Sequence, residues 1–206
     1  MKLAGAAEML SMPSKEREWA AMLDWIQNVD WTILHWIQDT MQCRTLDFLM
    51  PKITLLGSGC VVWLVLATAM TISKKYRQYG IAMFAALATG VLAGNVCMKH
   101  LFARARPCWL ENIALLVKNP TDYSFPSGHT MLTAISAYVL AAANRKCTLL
   151  AGLLVVMIGF SRLYLYVHFP SDVLVGGAIG IGIGAAAVGM MRKRSARKAT
   201  TAEKAA

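Results

Sequence analysis

The sequence predicts an all-α integral membrane helical bundle of five transmembrane helices preceded by an N-terminal amphipathic helix, with six spans as the alternative. Three observations lead there. Of the 206 residues, 57% are hydrophobic and only 16% charged, and mean hydropathy is +0.48. An ordinary water-soluble domain carries about a quarter charged residues. Several stretches approach or exceed the roughly 20 apolar residues that cross a hydrocarbon core, and the charges fall in short clusters between them. A disordered chain and a solenoid of repeats are excluded by the same pattern.

In order along the chain, residues 1–18 form a tail too short, and too broken by Glu8 and Pro13, to read as a signal peptide. In Trp19–Met41 the apolar residues Met22, Ile26, Val29, Ile33 and Ile37 recur at helical spacing, while Asp24, Asp30 and Asp39 interrupt. Its tryptophans Trp19, Trp25, Trp31 and Trp36 suit the headgroup region, which favours an interfacial helix over a sixth span. The spans follow as Ile53–Ser73, Tyr79–Met98, Ser127–Asn144, Cys147–Val167 and Val173–Met191. The first, second and fifth hold no charge. His129 near the start of the third and Arg162 near the end of the fourth are costly in a bilayer and call for a reason. Residues 192–206 read as a basic, solvated cytoplasmic tail.

The net charge of +10 raises the question of nucleic acid, but the distribution argues against it. Lys74, Lys75 and Arg77 fill one connection, Arg145 and Lys146 another, and Arg192, Lys193, Arg194, Arg197 and Lys198 follow the last span. This is the positive-inside pattern of a multi-pass cell-membrane protein with its C-terminus in the cytoplasm. The five cysteines lack paired metal spacing, so no zinc site is expected; a Cys43–Cys108 disulfide is conceivable. With the basic clusters inside, five spans bring Lys99, Arg106, Pro126–His129, Arg162, His168 and Asp172 to one membrane face, the extracytoplasmic one.

Those residues carry the chemistry. Lys99 and Arg106 are seven apart, about 20° around a continued helix, and Pro107 then turns the chain out of helix. Taken alone, two cations snorkelling at a span end explain this segment equally well. Arg104 lies off that face and reads as a headgroup contact. Ser124-Phe125-Pro126-Ser127-Gly128-His129 opens a helix whose exposed N–H groups suit an anion. A plain helix start accounts for the serine and proline and leaves the histidine unexplained. Asp172, in the first turn of the helix begun by Pro170, reaches back toward His168. A carboxylate that holds one imidazole nitrogen makes the other a defined nucleophile or base. Either histidine alone is more simply a satisfied polar residue. Together, three cations, two histidines, a carboxylate and a helix N-terminus describe a site for a phosphate-like oxyanion.

The pattern Lys99-x6-Arg106-Pro107, Pro126-Ser127-Gly128-His129 and Ser161-Arg162-x5-His168-x3-Asp172 resembles the three-part signature of the type 2 phosphatidic acid phosphatase family, relatives of vanadium haloperoxidases. The resemblance covers Lys99–Asp172 within a membrane domain of residues 19–191. It implies that His168 attacks phosphorus to give a phosphohistidine, that Asp172 orients it, and that His129 protonates the leaving group and then activates water. Lys99, Arg106, Arg162, Ser127 and the Gly128 N–H would hold the phosphoryl oxygens. Phosphoryl transfer depends mainly on positioning and on neutralising charge, so neither a metal nor another cofactor is expected.

The implied partner is a phosphorylated lipid in the bilayer, with undecaprenyl diphosphate placed ahead of phosphatidylglycerophosphate and phosphatidate. The undecaprenyl-diphosphate phosphatases that the chain resembles often carry Asp where Gly128 stands, which keeps phosphatidylglycerophosphate and phosphatidate close, and the family core is usually six helices, of which the first here is the polar Trp19–Met41. The alternatives are a vanadate-dependent haloperoxidase and a non-catalytic phospholipid-binding membrane protein. Gly176, Gly180 and Gly184 form a small-residue stripe read as close packing inside one chain. The thirteen methionines read as filler, and His35 and His100 as interfacial.

Overall fold

The computed structural model describes residues 13–57 and 60–205, so residues 1–12 of the expected tail, and Ser58 and Gly59 within the first expected span, lie outside the described residues. All regular structure among the described residues is helical: α1 (Ser14–Met41), α2 (Arg44–Leu56), α3 (Val61–Ile72), α4 (Arg77–Gly90), a π-helical stretch Val91–Met98, α5 (Lys99–Phe102), α6 (Pro107–Leu110), α7 (Gly128–Ala143), a short 3-10 turn Arg145–Cys147, α8 (Thr148–Tyr164) and α9 (Pro170–Ala205).

Three segments are long and apolar enough to cross a membrane: Arg77–Leu110, Arg145–Tyr164 and Pro170–Thr201. The pair α2 and α3 adds a fourth if its two arms, bent by 44°, make one crossing. The expected first span is therefore no straight helix. Gly57 closes α2, and Cys60 before α3 has the left-handed φ of 60°. The break sits where the chain runs against α7 and α8: a Cβ on Gly57 would lie 3.3 Å from the His129 ring and 3.1 Å from Ile158. α1 has the length of a span but not the apolar composition. Its buried face is Asp30, Leu34 and Ile37, whereas Met22 and Ile33 of the expected stripe face outward with Trp19, Trp25 and Trp36.

α7 is the hub, packing on α9, α8 and α4. It has 16 residues, about 24 Å at 1.5 Å per residue, and is buried along nearly its whole length. Met131, Ile135 and Val139 meet Met83, Leu87, Ile158 and Val188 in the core. The hydroxyls of Thr133 and Ser136 are satisfied by their own helix, donating to His129 O and Leu132 O. Around the hub, Leu149, Val156 and Leu174 are more than two-thirds exposed, an apolar exterior that suits a lipid surrounding.

The glycine stripe of α9 faces α7, inside the chain. A Cβ at Gly176 would stand 2.7 Å from Ser127 O, one at Gly180 would fall on the Met131 carbonyl, and one at Gly184 would stand 3.0 Å from the Tyr138 Cβ. The basic tail is helical, since α9 continues past Met191 to Ala205, with Arg192, Lys193 and Arg194 exposed. Cys43 and Cys108 are free thiols.

Gly180→Val is expected to force α7 and α9 apart and to cost about 1–3 kcal/mol, the usual toll of overpacking. Gly182→Ala, on the same helix with nothing within 4 Å, is expected to leave stability unchanged or slightly raised. Thermal unfolding of the two variants in detergent checks the contrast.

Candidate active site

Six of the eight residues singled out in the sequence line one cavity of about 670 Å³: Lys99, Arg106, Gly128, His129, Arg162 and His168. Asp172 and Ser127, both fully buried, stand behind its wall.

Each element delivers its residue by a local device. The π-helical stretch directly precedes Lys99 and places Asn95 beside Gly128, where a Cβ would come within 2.6 Å of Asn95 Oδ1. Lys99 and Arg106 do not share a continued helix. α5 ends at Phe102, Ala103 takes a left-handed φ of 42°, and the chain is extended at Arg106 before Pro107 starts α6. Both cations still reach the cavity, 4% and 2% exposed. Pro170 starts α9 and sets Asp172 in its first turn. Arg162 donates from Nη1 to Thr54 Oγ1 at 2.7 Å, while its buried Nε lacks a partner and remains available to an oxygen in the cavity.

The geometry fixes the state of His168. Arg106 Nη1 lies 3.1 Å from His168 Nε2, and a guanidinium only donates, so Nε2 is the acceptor and the proton sits on Nδ1. That proton faces Asp172 Oδ2 at 3.6 Å and Ser124 Oγ at 3.4 Å. Burial, followed by the charges of Arg106, Arg162 and Lys99, pushes the His168 imidazole well below its usual range. The one lone pair of Nε2 is held by Arg106, so that contact has to open before Nε2 can meet anything in the cavity.

The expected direct bond from Asp172 to His168 is too long for a hydrogen bond. Asp172 instead accepts from the Phe169 N–H at 2.9 Å, the Ser124 hydroxyl at 2.5 Å and Arg104 Nη1 at 2.6 Å. Arg104 is therefore no headgroup contact. The left-handed turn at Ala103 aims it inward, where Nη2 donates to Asp30 Oδ2 at 2.6 Å and the guanidinium lies 4.1 Å from the Phe169 ring centre. The sequence held one signal for this pair: Asp30 interrupts an apolar period, and a carboxylate there needs a buried cation. Ser127 also departs from expectation, because its hydroxyl pairs with Thr130 Oγ1 at 3.0 Å and turns away from the cavity.

Asp122, which no motif marks, bridges the two cations. Oδ2 takes Lys99 Nζ, Oδ1 takes Arg106 Nη2 at 2.8 Å, and its carbonyl takes Arg106 Nε at 2.6 Å. Burial works to raise this carboxyl, but the Lys99 hydrogen bond and the Arg106 charge outweigh it and hold it at about 2. Arg106 also donates to Val167 O and Tyr123 O, so all five guanidinium N–H groups are engaged. An oxyanion that takes Arg106 must displace an acceptor, and Asp122, with 57% of its side chain exposed, is the one free to swing away.

The PAP2 superfamily profile matches residues 76–196. An undecaprenyl-diphosphatase of Sulfolobus acidocaldarius is 32% identical over 141 residues, 68% of each chain. A decaprenylphosphoryl-5-phosphoribose phosphatase of Mycobacterium tuberculosis is 35% identical over 69% of this chain and 80% of its own. Among solved structures, the transmembrane PAP2-type phosphatidylglycerolphosphate phosphatase of Bacillus subtilis superposes with a TM-score of 0.69 at 29% identity, covering 82% of this chain and 87% of that one.

Asp122→Asn removes a competing anion from Lys99 and Arg106. Orthovanadate, a phosphate analogue, is expected to bind about fivefold more tightly to this variant, the upper end of a partly exposed ion pair at about 1 kcal/mol. Titration calorimetry on the detergent-solubilised protein measures it.

Proposed function

Because this chain belongs to the PAP2 superfamily, we propose that it is an integral membrane phosphatase that removes phosphate from a lipid phosphomonoester or diphosphate through a phosphohistidine. The observation that carries the reading is the cavity in which His168 stands among Lys99, Arg106 and Arg162, with Arg106 Nη1 3.1 Å from His168 Nε2. In this mechanism a phosphoryl group displaces Asp122 and settles on the three cations and the Gly128 N–H at the start of α7. Arg106 Nη1 turns from His168 Nε2 to a phosphoryl oxygen, Nε2 attacks phosphorus as the bond to the lipid oxygen breaks, and His129, entering the step as the imidazolium, delivers its proton to that oxygen. The imidazolium proton on Nδ1 stays between Ser124 and Asp172, whose negative charge stabilises it. Water attacks the phosphohistidine next, His129 takes its proton, and the P–N bond breaks to release inorganic phosphate. Charge neutralisation by three fixed cations supplies what phosphoryl transfer chiefly demands. No step calls for a metal.

The named substrates of the relatives make polyprenyl diphosphates the leading class for this chain, with undecaprenyl diphosphate first and phosphatidylglycerophosphate and phosphatidate next. In the membrane, α2–α3 as one bent crossing, the short α7 and the three longer spans make five. The basic clusters orient them with the cavity outside and the end of α9 in the cytoplasm.

Purified protein is expected to release phosphate from undecaprenyl diphosphate, phosphatidylglycerophosphate or phosphatidate in the presence of EDTA, and His168→Ala is expected to abolish release while leaving the fold intact. No release from any of the three would move the reading to a non-catalytic lipid binder. Reporter fusions after Asn144 and after Met191 are expected to read cytoplasmic; an external reading for either would overturn the topology.

A further inference from the structure

Asp30 stands 46 residues before the matched region begins, and neither it nor Arg104 lines the cavity. Both are nevertheless built into the support of His168. Asp30 is 2% exposed, and both its oxygens are used: Oδ1 accepts the Ser171 N–H at 2.8 Å, and Oδ2 accepts Arg104 Nη2 and the Ser171 hydroxyl. It thereby caps the N-terminus of α9 one residue before Asp172. Arg104 completes the circuit, donating from Nη1 to Ser171 Oγ at 2.7 Å and Asp172 Oδ1 at 2.6 Å, and from Nη2 also to Gln27 Oε1 at 2.9 Å.

The charge arithmetic of this cluster has a direction. Asp172 acts on His168 through its negative charge, yet it shares a 2.6 Å contact with a guanidinium that would cancel that charge. Asp30 on the far side of the same guanidinium offsets it, so the trio carries a net charge of −1 rather than zero. That residual charge opposes the cations from the Nδ1 side of the imidazole, while Asp122 opposes Lys99 and Arg106 from the cavity side. His168 is faced by Asp172 and Ser124 at Nδ1 and by Arg106 at Nε2, with Lys99, Arg162 and His129 also lining the cavity.

We propose that Asp30 and Arg104 are positioning residues for the His168 reaction: Arg104 fixes the Asp172 carboxylate, and Asp30 restores the negative charge that Arg104 would take from it. The N-terminal helix is then part of the catalytic apparatus. The inference rests on the phosphatase reading of the same site.

The test compares Asp30→Asn and Arg104→Gln, because the two substitutions change the charge near His168 in opposite senses. Asp30→Asn leaves Arg104 uncompensated and makes the surroundings more positive, so the acid limb of the kcat/KM profile moves to lower pH. Arg104→Gln leaves two carboxylates uncompensated and moves it to higher pH. Each displacement is expected at about half a pH unit or more. For Asp30→Asn, kcat is expected to fall about tenfold or more with KM nearly unchanged, since Asp30 does not touch the cavity.

The ring 15N shifts of His168 in histidine-labelled protein, assigned with His168→Asn, report the same opposed movements without turnover. A wild type that releases no phosphate overturns the phosphatase reading, while this second measurement still decides the coupling. Movement of both variants in the same direction, or no movement in either profile alongside lost activity, would mean that Asp30 and Arg104 only hold α1 against the bundle, and the proposal would fall.

Discussion

A guanidinium clasped between two buried carboxylates, Arg104 between Asp30 and Asp172, is the contact on which the site depends. Three otherwise separate parts meet there: α1, the turn after α5, and the first turn of α9. Charge buried at the edge of a membrane is tolerated only when it is paired and hydrogen-bonded. Here nearly every polar atom has a partner. Asp30, Arg104, Ser171 and Asp172 satisfy one another, and Ser124 and the Phe169 N–H complete Asp172. The network reaches His168 through Ser124, whose hydroxyl donates to Asp172 and lies 3.4 Å from Nδ1.

The second dependence is on close approach. α7 carries His129 in its first turn, and its place is set by glycines rather than by large side chains. The stripe on α9 brings that helix onto the α7 backbone near Ser127 and Met131, and Gly57 lets the end of α2 pass against the His129 ring. Without a hydrophobic force between helices in lipid, contact of this closeness is what holds a bundle. The same contacts that stabilise α7 and α9 therefore fix the separation between the elements bearing His129 and Asp172.

The cavity itself is a balance of charge. Lys99, Arg106 and Arg162 converge on one cavity, and Asp122 occupies two of them with one carboxylate oxygen apiece. Its loop connects α6 to α7 and carries no regular structure. Arg106, with all of its N–H groups engaged, ties the Asp122 loop to His168 Nε2.

Composition and spacing by themselves determined the helical membrane class, the approximate spans and six residues that line the cavity. Those features are local: an apolar stretch, a proline before a helix, a histidine four residues ahead of an aspartate. The sequence also marked Asp30 as an anomaly on an apolar period without saying what it met. Only the tertiary structure decided the rest. It broke the first span at Gly57, ended α5 at Ala103 so that Arg104 turned inward, placed Ser124 between Asp172 and His168, and set Asp122 on the cations. Each is a pairing between residues far apart in the chain, governed by which buried charges and hydroxyls find one another once the helices have closed. Sequence periodicity records which face of a helix is apolar; it holds no record of the partner across the gap.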